Sequence, residues 1–277
     1  MAKSEAPLDF ATLEKTGWSD RNTAEQYADN FAEASDYAVP VLVEAVGAKP
    51  GLRVLDLCSG QGNVTEGLLQ TGATATGLDF SPAMLGLARQ RCPGATFIEG
   101  DAGDLPFGDD TFDAITCGFG LLHVPDPDSA LAEARRVLKT GGVLAYSIWL
   151  GDGAPSALRY LFEAVAEAGD PSITLPPGPG LHDYATPQIA EPALQKAGFS
   201  APTYTRVESV WNVDKADAAF DKFKAGTVRG AAMLRPQSPE HSKAIREALV
   251  RKVHANHGPT GPWTLPIPAV VLRAEAR

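Results

Sequence analysis

The segment VLDLCSGQGNV, residues 54–64, decides the fold of this chain of 277 residues. Residues of β-strand character lead into a turn with two glycines, and a helical pattern of apolar residues follows from Asn63. Gly60 and Gly62 have no Cβ, so the turn can be tight and its backbone can lie against a ligand. The free N–H groups at the start of the helix attract a negative group. The segment therefore predicts a strand, a glycine turn and a helix that together border a ligand site.

A carboxylate stands at the end of the next predicted strand. Asp79 follows Gly60 by 19 residues, where its side chain can accept hydrogen bonds from both hydroxyls of a ribose. A dinucleotide site would add a third glycine, but Thr65 occupies that position. Asp56, which precedes the turn, also suits a ligand with an ammonium group better than a pyrophosphate. The pattern favours a nucleoside ligand other than a dinucleotide.

From residue 51 onward, short β-type runs alternate with helical patterns, which predicts a parallel sheet covered by helices. The expected strands are Val54–Leu57, Ala73–Asp79, Ala95–Glu99, Phe112–Gly118, Val143–Trp149, Thr203–Trp211 and Ala269–Ala274. The expected helices are 63–70, one starting at Ser81-Pro82, one from Asp126-Pro127 that Gly141 closes, one from Thr186-Pro187 to near Gly198, 214–228 and 238–256. Residues 171–179, PSITLPPGP, are too rich in proline and glycine for a regular element and predict a loop.

Charge and composition narrow the class of protein. Lys and Arg number 24 against 34 Asp and Glu, a net charge of −10, so the average surface field repels a phosphate backbone. The longest apolar run, Val143–Leu150, is far shorter than the roughly 18 residues of a membrane span. Met1–Phe10 lacks a secretory apolar segment, and three cysteines without CxxC spacing suit reduced thiols. We expect a cytoplasmic protein with a small-molecule substrate and no nucleic acid, membrane or metal partner; the sequence predicts no oligomeric state.

Five sequence blocks resemble those of a known enzyme family. They are, in order, VLDLCSGQG from residue 54, GLDFSPAML from 77, FIEGDAGDLPF from 97, FDAITCGFGLLHVPDP from 112 and RRVLKTGGVL from 135. Together they are similar to the class I S-adenosylmethionine-dependent methyltransferases, especially the methyltransferase type 11 branch that includes the quinone C-methyltransferases. The chain departs from that branch at Cys58, where a glycine is usual. Leu122-His123 also replaces the Arg-Asn pair that the quinone enzymes carry after FGL.

The resemblance implies S-adenosyl-L-methionine as cofactor and assigns residues to it. Gly60 and Gly62 would pass under the methionyl moiety, and Asp56 would orient the turn or the amino group. Asp79 would accept from the ribose hydroxyls. The other implied cofactor contacts are Tyr27 on a lid, Ser59 in the turn, Phe80 and Met84 against the adenine, Asp101 and Ala102 at the adenine edge, and Gly118 near the sulfonium.

His123 is the candidate catalytic residue because it follows the fourth predicted strand, at the sheet edge where the methyl group should emerge. It could accept a proton from the substrate or orient it, or it could be a histidine of the pocket wall. Both alternatives stay open, since methyl transfer needs alignment more than a base. Trp149 and Asp152, at the end of the fifth predicted strand, could shape the same pocket or pack in the core.

Two further sets of residues have competing interpretations. The aromatic and methionine residues of the C-terminal part could line a substrate cavity or form plain core: Trp211, Phe220, Phe223, Met233 and Trp263. His254 and His257 could share a metal, but no third ligand is evident and a surface pair is the simpler interpretation.

By resemblance we expect a doubly wound, Rossmann-like α/β sheet of seven strands, the last antiparallel and inserted into the sheet. Residues 1–48 would form an N-terminal helical lid that includes Trp18 and Phe31, residues 49–150 the cofactor-binding core, and 151–277 the rest of the core. A helical insert at about 212–262 would select the substrate. The expected reaction is methyl transfer to an oxygen, nitrogen or carbon nucleophile. The alternatives are a non-methylating enzyme such as a cyclase on the same fold, or a cofactor-binding scaffold protein without catalysis.

Overall fold

A seven-stranded sheet forms the centre of the protein in a computed structural model, which describes residues 9–277. The strands of this part of the chain are β1 Arg53–Leu57, β2 Thr74–Asp79, β3 Thr96–Glu99, β4 Phe112–Gly118, β5 Leu138–Trp149, β6 Thr203–Val207, β7 Val210–Val213, β8 Trp263–Pro266 and β9 Ala269–Glu275. The first eight residues of the expected lid, and most of the stretch inspected for a secretory segment, lie outside the described residues.

The order of the sheet, β3-β2-β1-β4-β5-β9-β6, confirms the doubly wound arrangement. Strands β1 to β5 pair in parallel, and the direction of progression reverses between β1 and β4. Such a reversal opens a crevice at the carboxyl ends of the two strands, because their connections leave on opposite faces of the sheet. The sheet thus places a ligand crevice beside the turn that follows Leu57.

The last strand is antiparallel and inserted, as expected. β9 lies between β5 and β6 and runs antiparallel to both, with Tyr146 and Tyr204 opposite Leu272. It is almost wholly buried, which explains its nearly continuous apolar sequence.

Helices follow the strands and cover the sheet. In chain order they are α1 Phe10–Ser19, α2 Arg21–Gln26, α3 Ala32–Asp36, α4 Val39–Ala45, α5 Asn63–Gln70, α6 Pro82–Arg91, α7 Pro127–Val137, α8 Ala157–Ala168, α9 Pro187–Ala197, α10 Ala218–Gly226, α11 Val228–Leu234 and α12 Pro239–His257. The predicted start of α6 is confirmed: Ser81 Oγ accepts from the N–H of Met84, and Pro82 occupies the first turn. None of the helices between residues 9 and 277 is long and apolar enough to cross a bilayer.

Several predicted elements differ from the structure by more than a residue at an end. The helix expected to close at Gly141 ends at Val137, because Leu138 already pairs with Phe112 at the start of β5. The strand expected over 203–211 is broken into β6 and β7. The pairing of β6 with β9 ends at Val207 and Ala269, because the next residue of the partner, Pro268, has no N–H to donate. Beyond that point the chain leaves the main sheet, and β7 pairs with β8. The strand β8 was not predicted from the sequence.

The helix expected over 214–228 is also interrupted. Thr227 is extended, with φ −136° and ψ 145°, and its hydroxyl accepts from the N–H of Gly230. A threonine in this role ends α10 and starts α11, because its side chain satisfies a free N–H of the new helix. The break changes the direction of the chain just before Arg229.

Candidate functional site

The turn between β1 and α5 has the strained backbone that its glycines suggest. Cys58, Gly60 and Gly62 all have positive φ, at 55°, 52° and 84°. The N–H of Ser59 donates to the carbonyl of Leu78 at 2.9 Å, which ties the turn to β2. Cys58 is a non-glycine residue in the left-handed region, a conformation that costs about 1–2 kcal/mol and that tends to occur at functional sites.

The two turn glycines serve different purposes. A Cβ built on Gly60 would meet no atom within 4 Å, so open space lies beside it, and Gly60 lines the crevice. A Cβ on Gly62 would lie 3.2 Å from the Cβ of Ala88, and Phe97 is close behind. Gly62 is not among the residues that line the crevice. It permits close packing of α5 against α6, which is a structural reason for this glycine.

Asp79 lies at the end of β2 and faces the turn. Its Oδ2 accepts from the N–H of Gly60 at 2.9 Å, and its Oδ1 accepts from the N–H of Ser81 at 2.8 Å. Burial raises the pKa of Asp79, although the N–H groups of Ser81 and Gly60 and the charge of His123 oppose this effect. Each carboxylate oxygen keeps a lone pair for a further donor.

Asp56 lies beneath the turn rather than in the crevice. Its carboxylate accepts from the hydroxyl of Thr65 at 2.6 Å and from that of Thr116 at 3.1 Å, and the side chain is fully buried. Burial raises the pKa of Asp56 to about 6, against the opposing effect of these two hydrogen bonds. The arrangement links β1 to α5 and β4, so Asp56 is placed to orient the turn.

Polar atoms around the turn lack partners. Ser59 Oγ and both side-chain atoms of the Gln61 amide are buried and have no hydrogen-bond partner among the described residues. Ser59, Gly60, Gln61 and Gly118 line one narrow end of the crevice. Because unsatisfied buried polar groups are costly, this end suits a ligand with both donors and acceptors. The amino-acid part of S-adenosylmethionine has both, so the residues fit that cofactor.

The wider part of the crevice, which we call the nucleoside cleft, has a volume of about 290 Å³. Asp79, Phe80, Asp101, Ala102 and His123 all line it. Met84 and Tyr27 line the passage that joins it to the turn. The structure thus places nine of the eleven implied cofactor residues around one crevice, together with His123. Asp56 and Gly62 lie behind its wall.

His123 belongs to a buried network of charged side chains. It follows β4 in a single helical turn, and its Nδ1 lies 2.9 Å from Glu14 Oε2. Trp18 Nε1 donates to the same oxygen at 2.9 Å, and Arg229 Nε donates to Oε1 at 2.7 Å. Burial would raise the pKa of Glu14, but the charges and hydrogen bonds of His123 and Arg229 hold it below its ordinary value.

The network ties three parts of the chain together. Glu14 comes from α1, His123 from the core and Arg229 from α11. Arg229 also donates to the carbonyl of Pro179 at 2.9 Å and to that of Leu122. Sequence reasoning missed Glu14 and Arg229, because each is a single charged residue in a helical pattern and neither stands in a motif.

An apolar cavity of about 360 Å³ lies on the other side of His123; we call it the acceptor cavity. Of the candidates from the sequence, Trp18, Phe31, Trp149, Phe223 and Met233 line it, whereas Trp211, Phe220 and Trp263 do not. The proline-rich loop 175–181 covers one side. Asp152 points elsewhere and pairs with Arg206 in a half-exposed salt bridge.

The histidines of α12 are engaged separately. His257 Nε2 lies 2.9 Å from the hydroxyl of Tyr160, and His254 stacks on Trp263 with ring centroids 5.6 Å apart. Between residues 9 and 277 no group of three potential metal ligands comes together.

Comparison with known proteins places this geometry in context. Residues 55–146 match the family profile described as a methyltransferase domain, about a third of the chain. The demethylmenaquinone methyltransferase of Renibacterium salmoninarum is 49% identical over 104 residues, which cover 38% of this chain and 44% of that protein. The chain thus matches less than half the length of this curated relative.

Solved structures extend the likeness of the fold to most of the chain. The YcgJ protein of Bacillus subtilis superposes with a TM-score of 0.57 at 19% identity, over 87% of this chain and 98% of that one. The [4+2]-cyclase SpnF gives a TM-score of 0.54 at 20% identity, over 87% and 81%. Identities this low show a shared fold alone. Together, the match of residues 55–146 to the methyltransferase-domain profile and the order of the sheet support a methyltransferase domain within this chain.

Proposed function

We propose that the protein binds S-adenosylmethionine in the crevice and transfers its methyl group to a small molecule held in the acceptor cavity. One observation carries this proposal: His123 lines both the nucleoside cleft and the acceptor cavity, so the two compartments meet at a single residue. A cofactor on one side and an acceptor on the other would come into contact there. Such an arrangement supplies the proximity on which methyl transfer depends.

The proposed cofactor contacts follow from the lining of the crevice. Asp79 accepts from the ribose hydroxyls with its remaining lone pairs, and Phe80 and Ala102 cover the base. Ser59 and Gln61 hydrogen-bond the amino-acid part, which satisfies their unpaired atoms. Gly60 leaves the space that this part needs, and Asp56 holds the turn in place from below.

When bound, the cofactor would supply a methyl carbon made electrophilic by the adjacent sulfonium, with S-adenosylhomocysteine as the leaving group. The protein aligns the acceptor with that carbon and excludes water. Trp149 and Phe119 stack at 3.9 Å between ring centroids, and Trp18 packs edge-on to His123 at 5.1 Å, so aromatic surface surrounds the meeting point. A dry, preorganised site favours a reaction that moves charge.

In this proposal, residues 49–150 bind the cofactor and the flanking segments bind the acceptor. Trp18 and Tyr27 of the segment 1–48 line both the acceptor cavity and the passage that joins the nucleoside cleft to the turn. Phe223, Arg229 and Met233 of the insert 212–262 line the acceptor cavity. The acidic net charge of −10 supports a small molecule rather than a nucleic acid as partner. We also propose a cytoplasmic setting for the protein.

Titration calorimetry tests the cofactor, and product analysis tests the reaction. We expect S-adenosylmethionine and S-adenosylhomocysteine to bind at one site per chain and NAD to compete with neither. Incubation with acceptors should then form S-adenosylhomocysteine and methylated acceptor in equal amounts. Conversion of an acceptor with the cofactor left intact would instead indicate a non-methylating enzyme, and binding of NAD alone would overturn the proposal.

A further inference from the structure

We propose that the acceptor is an apolar aromatic alcohol of one or two rings, whose hydroxyl donates to Nε2 of His123, and that Glu14 is the positioning residue that keeps this atom free to accept. This inference rests on the proposed function and names the class of acceptor for the same site. It is based on the polar groups of the acceptor cavity, on its size and on the contacts of Glu14.

Among the described side chains that line the acceptor cavity, two nitrogens have no hydrogen-bond partner: Nε2 of His123, which can accept, and Nε1 of Trp149, which can only donate. Arg229 donates one N–H from each of its three nitrogens, to Glu14, Pro179 and Leu122, and keeps one further N–H on each terminal nitrogen. The Thr227 hydroxyl donates to the carbonyl of Phe223 and accepts from the N–H of Gly230. By contrast, Nε2 of His123 has no hydrogen-bond partner among the described residues, since only Nδ1 is engaged.

Two further polar side chains of the wall, those of Trp18 and Tyr27, are also occupied. Trp18 Nε1 donates to Glu14, and the Tyr27 hydroxyl donates to Ser35 Oγ at 3.3 Å. Burial raises the pKa of Tyr27 to about 12, so its hydroxyl remains protonated at neutral pH and is no base. Among the described side chains of the wall, Nε2 of His123 is therefore the one hydrogen-bond acceptor without a partner, and the other unpartnered groups are donors.

The size and lining of the cavity limit the rest of the acceptor. An apolar cavity of about 150 Å³ holds one benzene ring, so about 360 Å³ accommodates one or two rings with a substituent. Phe10, Phe31 and Trp149 offer flat apolar surface, and the charge of Arg229, the cation of the described wall, is already balanced by Glu14. A charged acceptor would lose its hydration without compensation.

Glu14 fixes which nitrogen of His123 carries the proton. The ionised carboxylate accepts from Nδ1–H, so in the neutral ring Nε2 is the acceptor. As the acceptor hydroxyl reacts, its O–H bond breaks, the electron pair stays on oxygen and the proton moves to Nε2. The imidazolium that forms is stabilised by Glu14 from α1 and Asp79 from β2, while Arg229 of α11 stands behind Glu14.

The test uses 4-nitrophenol, whose neutral and ionised forms differ in absorbance, with S-adenosylhomocysteine bound. At a pH near the probe's own ionisation, we expect the wild-type cavity to bind it with a ratio of phenolate to phenol at least tenfold higher than in His123→Gln. Glu14→Gln should lower the ratio in the same direction, and Glu14→Asp should restore part of it. The matched control is Glu25→Gln, which alters an exposed pair with Arg21 in the same N-terminal segment.

Two shape-matched compounds, 4-nitroaniline and 4-nitrobenzoate, test the class of acceptor. We expect each to bind at least tenfold more weakly than 4-nitrophenol. Equal binding of 4-nitrobenzoate, or an unchanged phenolate ratio in His123→Gln, would overturn the proposal even if Glu14→Gln fails to fold. If S-adenosylhomocysteine binds but 4-nitrophenol does not, the acceptor class alone is refuted. If neither compound binds, the proposed function is refuted.

Discussion

The backbone N–H of Gly60 donates to Oδ2 of Asp79 at 2.9 Å, which joins the turn after β1 to the end of β2. The same carboxylate accepts from the N–H of Ser81 at the start of α6. Asp79 is thus held in one orientation by two fixed donors before any ligand arrives. Preorganisation of this kind lowers the entropic cost of binding.

Asp79→Ala should weaken the binding of S-adenosylhomocysteine at least about tenfold. Hydrogen bonds to a charged group contribute about 1.5–3 kcal/mol, and every 1.4 kcal/mol is a factor of ten. Calorimetry on the folded variant measures the change. Asp214→Ala, which alters an exposed carboxylate after β7, is the control and should bind normally. Equal affinities in the two variants would refute the ribose assignment.

Gly60→Ala should lower both stability and cofactor affinity. A Cβ in the left-handed region costs about 1–2 kcal/mol, and here it also enters the space assigned to the ligand. Gly47→Ala provides a matched comparison, since Gly47 has φ +60° and equally open surroundings away from the crevice. The stability of Gly47→Ala should fall by about as much as that of Gly60→Ala, but its binding of S-adenosylhomocysteine should be unchanged. If both variants bind alike, Gly60 is needed for the turn alone.

Asp56→Asn should change how stability depends on pH in the ligand-free protein. In the folded protein the pKa of Asp56 is raised to about 6 from 3.8. The stability that its protonated carboxyl contributes is therefore fully present below the unfolded pKa and is lost as pH rises through about 6. The variant lacks this loss, so it should gain on the wild type between about pH 4 and 7, by up to about 3 kcal/mol. Urea unfolding across that range measures the difference. A constant difference would show that burial does not perturb this carboxyl.

Glu14→Gln should change the pH dependence of stability in the opposite direction to Asp56→Asn. The pKa of Glu14 is held below its ordinary value of 4.5, so its contribution is present at neutral pH and is lost as pH falls through the folded pKa. At pH 7 the variant leaves Arg229 without its anion, and breaking such a buried pair costs about 3 kcal/mol. Thermal unfolding should show the gap between variant and wild type narrowing in acid. Glu25→Gln should stay within about 1 kcal/mol of wild type throughout.

The sequence was sufficient for the parts of the protein that local rules govern. The turn at Gly60, the capped start of α6 at Ser81 and the antiparallel insertion of β9 could all be anticipated from motifs, capping residues and resemblance. Each depends on residues close together in the chain or on a pattern shared by many proteins.

Contacts between distant segments could not be anticipated. Glu14 and His123 are 109 residues apart, and Arg229 joins them from α11, so no spacing in the sequence indicates the network. The division of 203–213 into β6 and β7 depends on Pro268, which directly precedes β9. The purpose of Gly62 likewise becomes clear only when α6 packs against it.

Transfer of labelled methyl from S-adenosylmethionine tests the central claim most directly. The protein is incubated with methyl-labelled cofactor and a panel of phenols, amines, thiols and enolisable carbons, and label in the acceptor is compared with S-adenosylhomocysteine formed. We predict equal amounts of the two products, with the phenols labelled most and with label transfer by Asp79→Ala reduced at least about tenfold at subsaturating cofactor. Tight cofactor binding with no label transferred to any member of the panel would contradict the account.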